Sequence, residues 1–426
     1  MRPTSPPPED ADVAAMPPVT LWVLCAVSVL MGVGFTGIQS LLPAIGRQLG
    51  VADSLVAGIF SLAAVLVMVF SPIWARQSDL RGRKPIILVG VAGFIVSMGG
   101  FALAVSAGIW QLAPPMVIFA LLLATRGING AVGAASQPAT QAYVADHTTP
   151  DNRTQAMATI AGANGFGTIL GPLIAPLLVF GWLGLAGPLY AFALAGGMML
   201  FAAWRWLPDD SRARRERAQA QQQGTADGPP EIGMAALMRH RGIRPFLVYG
   251  AVSSFVGFGV SQTIGFAVID LVGLTPIRAL PYITGAMMVG AATTVAGQWG
   301  LIPLFRLRPA GLMAWGAGLG CIGAAAMVAA PHYGVMVAGF GLFSLGMSFA
   351  RPGFTAGASL AVPSEAQGAA AGFIGAMGGA APLLSPLFVV VYGAHHLAPF
   401  LISAAILGGL YFHTVMNRRL GDTGER

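Results

Sequence analysis

Residues 75–84, ARQSDLRGRK, place one carboxylate, Asp79, among Arg76, Arg81, Arg83 and Lys84 in a short connection ahead of an apolar run. A carboxylate so placed forms charge-assisted hydrogen bonds with its cationic neighbours, and Gly82 permits a tight turn among them. A second candidate is Arg126, with Asn129 and Gly130 after it in the run RGINGAVGA. A guanidinium inside a membrane-crossing helix costs about 2.5–3.5 kcal/mol on insertion scales and ordinarily faces a cavity or a partner. Arg126 is therefore a binding or coupling group, or else a buried structural hydrogen-bond donor. Chemistry that breaks covalent bonds has little support. There is no H-E-x-x-H zinc pair, no pair of intramembrane aspartates and no nucleotide-binding G-x-x-x-x-G-K-[ST] loop. Cys25 and Cys321 lie in apolar runs without metal-ligand neighbours, so no metal and no cofactor are expected. All six histidines fall in loops or near helix ends, where they do not form a relay through the membrane.

The elements that must position these groups follow from composition. Of 426 residues, 55% are apolar and 9% charged, against about 25% charged in a soluble domain. Uncharged runs long enough to cross about 30 Å of hydrocarbon predict twelve helices, over 20–46, 54–75, 85–108, 113–143, 154–180, 184–207, 245–272, 280–304, 309–330, 333–357, 366–391 and 397–417. The fold class is thus an all-α membrane protein. The stretch before Thr20 is Pro-rich and acidic and lacks a basic n-region, so it reads as a tail rather than a signal peptide.

Twelve crossings put both termini on one side. Of the 23 Lys and Arg, all fall on that side except Arg47 and Arg278, which lie opposite, and Arg126 and Arg351, which lie within predicted helices. The positive-inside rule then assigns both termini to the cytoplasm of a bacterial-type inner membrane. The formal charge of +7 is accounted for by topology and needs no nucleic-acid partner.

The polar segment between helices six and seven divides the chain into a tail at 1–19, a six-helix bundle at 20–207, a linker at 208–244, a second bundle at 245–417 and a tail at 418–426. The halves carry a repeat. Pro138, Pro150 and Pro172 are spaced by 12 and 22 residues, and Pro352, Pro363 and Pro382 by 11 and 19, as expected of a duplication with small loop deletions. Parallel repeats of this kind hold substrate near the midplane, where the halves meet.

With these residues in place the chain resembles the major facilitator superfamily, most of all its twelve-helix drug:proton antiporter branch. ARQSDLRGRK is similar to the family pattern G-x-x-x-D-R-x-G-R-K between helices two and three, with Ala75 for the usual Gly and Leu80 for the usual Arg. Arg126 through Ala134 resembles R-x-x-x-G-x-x-x-A in helix four, and Gly167, Gly171 and Pro172 resemble the core of the helix-five antiporter motif, whose closing glycines are replaced by Ala175 and Pro176. The resemblance implies two pseudosymmetric six-helix bundles working by alternating access. It implies a cytoplasmic latch built from Asp79, Gly82, Arg83 and Lys84, with Asp146 as the acid that meets it. It also implies a central cavity lined by helices 1, 4, 7 and 10, with Thr36, Gln39, Arg126, Asn129, Gln262, Thr263 and Ser344 or Arg351 among its polar residues.

None of the sixteen Asp and Glu falls near a helix centre, and Asp270, toward the outer end of helix seven, is the best candidate for a proton-coupling carboxylate. A lipophilic cation in low dielectric needs a buried counter-charge, so the expected cargo is a small neutral or anionic amphipath. The function implied is proton-coupled export, with a small molecule, protons and the bilayer as partners and a complete pathway within a monomer. The alternatives are a facilitator or symporter of a defined solute such as a sugar, siderophore or metabolite, a non-transporting membrane receptor, and an intramembrane enzyme.

Overall fold

The computed structural model describes residues 17–179, 181–209, 242–305, 307–362 and 367–416. Most of the expected linker and both tails, together with Pro363 and Glu365, lie outside the described residues. Eleven described helices are long and apolar enough to cross a membrane. They are α1 Pro18–Gln48, α2 Asp53–Arg81, α3 Arg83–Ile109, α4 Pro115–Asp146, α5 Pro150–Ile174, α6 Gly187–Trp206, α7 Arg244–Val272, α8 Pro276–Phe305, α9 Pro309–Val328, α10 Tyr333–Leu360 and α12 Ala398–Met416. The twelfth passage is α11, Gln367–Ala394, whose segment Gly379–Ala394 is continuously apolar.

Local sequence sets the ends. Proline at N1 or N2 opens α1, α4, α5, α6, α7, α8 and α9, where a missing N–H costs nothing and φ is already helical. Gly273 closes α7 in the left-handed conformation, with φ 66°. Two expected regular helices are interrupted: α4 by a 3-10 turn at Gly133–Ala135, and α8 by a π-helical turn at Ala296–Leu301.

The packing is duplicated. In the first half α1 packs on α5, α3 on α6 and α4, and α2 on α4; in the second α7 packs on α11, α9 on α12 and α10, and α8 on α10. Each pairing recurs six helices later. The halves meet through α2 against α11 and its counterpart α5 against α8, with α1 also touching α7 and α8. This is a pair of pseudosymmetric six-helix bundles. The face carrying Arg83, expected from the basic residues to be cytoplasmic, is termed the inner face and the opposite one the outer face.

One connection differs from expectation. The charge cluster is not a loop: α2 continues through Asp79 to Arg81, α3 begins at Arg83, and Gly82 alone joins them with φ 99° and ψ 157°. A positive φ of this kind suits glycine, and it places Asp79 and Arg83 on adjoining helix ends.

Candidate functional site

The seam between the halves is closed at the outer face. Arg47, in the last turn of α1, binds Asp270 of α7 through Nη1 to Oδ1 and through Nη2 to Oδ2 at 3.0 Å. Its Nη2 also lies 2.8 Å from Oδ2 of Asp53, and its Nε donates to Asp53 Oδ1 at 3.3 Å. Tyr392 of α11 donates to Asp270 Oδ2 at 2.6 Å, and His396 Nδ1 stands 3.7 Å from the same oxygen. Asp270 therefore sits in a network tying α1 and α2 of one half to α7 and α11 of the other.

Deeper in the seam, Gln39 Nε2 donates to Gln262 Oε1 at 3.2 Å, and Ser61 of α2 donates to the carbonyl of Pro382 at 2.7 Å. Gln39 and Gln262, expected to line the cavity, thus pair across the seam through one donor and one acceptor, and both border a small space there with Phe60 and Phe266. Thr36 and Thr263 donate to carbonyls of their own helices. The hydrogen bonds described between the halves, from Gln39, Arg47 and Ser61, lie in their outer portions.

Sequence reading passed over Arg47, Asp53, Tyr392 and His396, although a signal was present. Gln39 and Gln262 are 223 positions apart, and so are Arg47 and Asp270. Gly50 and Gly273, both with positive φ, keep the same offset. Equivalent positions of α1 and α7 therefore meet across the pseudo-twofold axis, and the register of the duplication identifies the pairs.

Arg126 is 1% exposed, the largest fully buried side chain described. Its Nε and Nη1 have no hydrogen-bond partner. Its guanidinium carbon lies 6.0 Å from the centre of the Phe35 ring and 5.4 Å from that of Phe60, and the two rings meet edge to face at 6.1 Å. Cation–π attraction of about 0.5–2 kcal/mol per contact acts on the guanidinium but supplies no acceptor for its N–H groups. Asn129 is half-buried, with its Oδ1 over Gly133 where α4 breaks.

At the inner face Arg83, nearly buried, donates from Nε to Asp146 Oδ2 at 2.9 Å and from Nη1 to Ser78 Oγ at 3.2 Å, and Nη1 is 2.5 Å from Asp79 Oδ1. The structure thus brings Asp79, Arg83 and Asp146 together within the first half, beside the Gly82 turn. Lys84 is half-buried next to them, and Leu80 is half exposed to the surroundings.

The helix-five glycines face α1. A Cβ added at Gly167 lands 3.0 Å from Val29 Cα, and one at Gly171 lands 2.6 Å from the Val33 carbonyl and 2.7 Å from the Gly37 nitrogen. Pro172 lies inside the helix just beyond. The motif allows two backbones to touch, which is how small residues stabilise helix pairs in lipid. Cys25 is buried and Cys321 donates to the Ala404 carbonyl, both as free thiols.

Comparison with known proteins places this geometry in context. A family model described as the Major Facilitator Superfamily matches residues 24–415. The class H tetracycline resistance protein of Pasteurella multocida is 30% identical over 159 residues, 37% of this chain and 36% of that protein. A homologue of the multidrug resistance efflux pump PmrA from Lactococcus lactis is 29% identical over 185 residues, 42% of this chain and 41% of that one. The chain spans well under half the length of each of these two relatives. Among solved structures, a bacterial homologue of the human lysosomal transporter Spinster superposes with a TM-score of 0.71 at 15% identity, covering 95% of this chain and 98% of that one. With twelve helical passages among the described residues, duplicated packing and a family match over nearly its whole length, this multi-pass membrane protein belongs to the Major Facilitator Superfamily of transporters.

Proposed function

We propose that this transporter works by alternating access in an inner membrane, with both termini cytoplasmic, and exports small amphipathic compounds, neutral or anionic, in exchange for protons. The observation that carries the reading is the polar closure of the outer seam, Gln39 on Gln262 and Arg47 on Asp270. Such contacts are few, directional and close to water at one end, so they can break and reform as the halves rock, whereas a seam packed only by large apolar side chains would hold the halves together. The efflux relatives favour export, and the absence of Asp and Glu from helix centres favours a cargo that needs no buried anion. Asp270 is the group whose ionisation couples to the seam, and Asp79, Arg83 and Asp146 form the inner latch that takes over when the outer seam opens.

The test is a proteoliposome assay with an internal pH dye. A proton gradient is imposed and neutral, anionic and cationic amphipaths are added in turn. Proton movement triggered by particular neutral or anionic compounds, and lost in Arg126→Ala, is the expected result. Labelled-solute uptake without any proton movement across the panel would replace this reading with a facilitator of one solute.

A further inference from the structure

Arg126 presents a problem that nothing within the described residues solves. A fully buried guanidinium with Nε and Nη1 unpaired leaves donors without acceptors, which costs more than the cation–π contacts return. No Asp or Glu lies near the centre of a described helix to neutralise it. The missing acceptor has to come from outside the chain, and two observations indicate its direction. Phe35 is 40% exposed although it covers Arg126. It lies one turn before Gln39 on the same face of α1, and Gln39 reaches the other half through Gln262. The open side of Phe35 therefore looks into the space between the halves and not toward lipid. Phe60, the second ring over Arg126, borders the outer seam with Gln39, Gln262 and Phe266.

We infer that Arg126, Phe35 and Phe60 form a subsite for the carboxylate of an aromatic organic anion, a deeper statement of the export reading and dependent on it. A carboxylate supplies both the charge and the acceptor oxygens that the unpaired Nε and Nη1 lack, and bonds between guanidinium and carboxylate are charge-assisted. The ligand's aromatic body stacks on the exposed side of Phe35. Its charge cancels that of Arg126, so the loaded site carries no net charge while the halves rock around it. A neutral amide of the same shape keeps the stacking but offers a single carbonyl and no charge, and an ammonium of the same shape is repelled.

The test uses three probes of matched size, 1-naphthoate, 1-naphthamide and 1-naphthylmethylammonium, with the full chain in lipid nanodiscs. Wild type is expected to bind naphthoate about tenfold more tightly than naphthamide, the difference a charge-assisted pair supplies, and to bind the ammonium most weakly. R126Q erases the preference, so that naphthoate binds no more tightly than naphthamide; R126K keeps a part of it, because a point charge replaces the guanidinium; Phe35→Leu weakens both bound probes alike. Equal binding of naphthoate and naphthamide to wild type, no binding of naphthoate, or a preference surviving in R126Q overturns the proposal. The wild-type comparison does not depend on any variant folding. Counterflow in proteoliposomes separates the two readings. Naphthamide exported without charge preference leaves export standing and removes the subsite, whereas selective naphthoate binding with no transport of any probe leaves the subsite and removes export.

Discussion

Arg47 grips Asp270 across the outer end of the seam while holding Asp53 on its own side, so one guanidinium from α1 joins both halves. The pair is partly exposed, and an exposed ion pair is worth about 0–1 kcal/mol. That is too little to matter for folding and enough to set a gate, since 1 kcal/mol shifts a two-state balance about fivefold.

Asp270→Asn should therefore open the outer seam without unfolding the protein. With a cysteine at Gln262 in a background lacking Cys25 and Cys321, labelling by a membrane-impermeant maleimide from the outer face should rise about fivefold. Acidification should act in the same direction. Protonating Asp270 removes the negative charge that holds Arg47, so labelling with Asp270 intact rises as pH falls, whereas Asp270→Asn labels fast at every pH. Arg47, Asp53, Tyr392 and His396 face this carboxylate. A labelling rate indifferent to both Asp270→Asn and pH would remove this pair from the gate.

At the inner face a double-mutant cycle separates the two acids of the latch. Arg83 and Asp146 are the more sheltered pair, with side-chain exposures of 8% and 23%, against 44% for Asp79. Screening by solvent weakens the exposed partner. The coupling between Arg83→Gln and Asp146→Asn in thermal stability should exceed that between Arg83→Gln and Asp79→Asn. Equal couplings would mean that burial does not rank these contacts.

Within α5 the glycines are not equivalent. Gly171→Ala drives a methyl into the backbone of α1, 2.6 Å from the Val33 carbonyl, and helix backbones cannot yield as a side chain does. A cost of about 1–3 kcal/mol is expected from overpacking, seen as a fall of several degrees in melting temperature together with lost transport. Gly162→Ala, on the same helix with nothing within 4 Å of the added carbon, should be neutral or slightly stabilising. Equal effects of the two substitutions would show that α1 and α5 are not held by this contact.

The twelve passages were legible because uncharged runs of sufficient length have no other stable use, and most ends fell within a few residues, although α2 runs past its expected end at 75 as far as Arg81. The inner cluster was legible as a group, since its members lie close in sequence or carry a family pattern. What the chain concealed was pairing at a distance. Arg47 and Asp270 look like ordinary helix-end charges until α1 is laid on α7 with the offset that also aligns Gln39 with Gln262 and Gly50 with Gly273. Gln39 and Gln262 were read as cavity-lining groups, and a sequence names donors and acceptors without saying which of them meet across the halves. Phe35 and Phe60 were unremarkable apolar residues until Arg126 was found beside both rings.

The seam itself supplies the sharpest test of rocking. A Cβ at Gly265 of α7 lies 3.3 Å from Pro43 Cβ of α1, near the 3.5–4.5 Å that a disulfide spans. The double variant Pro43→Cys, Gly265→Cys, without Cys25 and Cys321, should cross-link on mild oxidation, which requires only a small outward shift of one helix. Because the bridge ties equivalent helices of the two halves at the outer face, it holds the seam shut in the arrangement seen here. In the proposed alternating-access cycle a seam shut at the outer face leaves the inner face for substrate entry, so binding should persist in the oxidised protein while transport falls below about a tenth, the loss expected when a gate can no longer sample its second state. Reductant should restore transport, and each single variant should transport in both redox conditions. Transport continuing at full rate through a fully cross-linked seam would mean that the outer ends of α1 and α7 need not part, and alternating access by rocking of the two bundles about this axis would have to be abandoned.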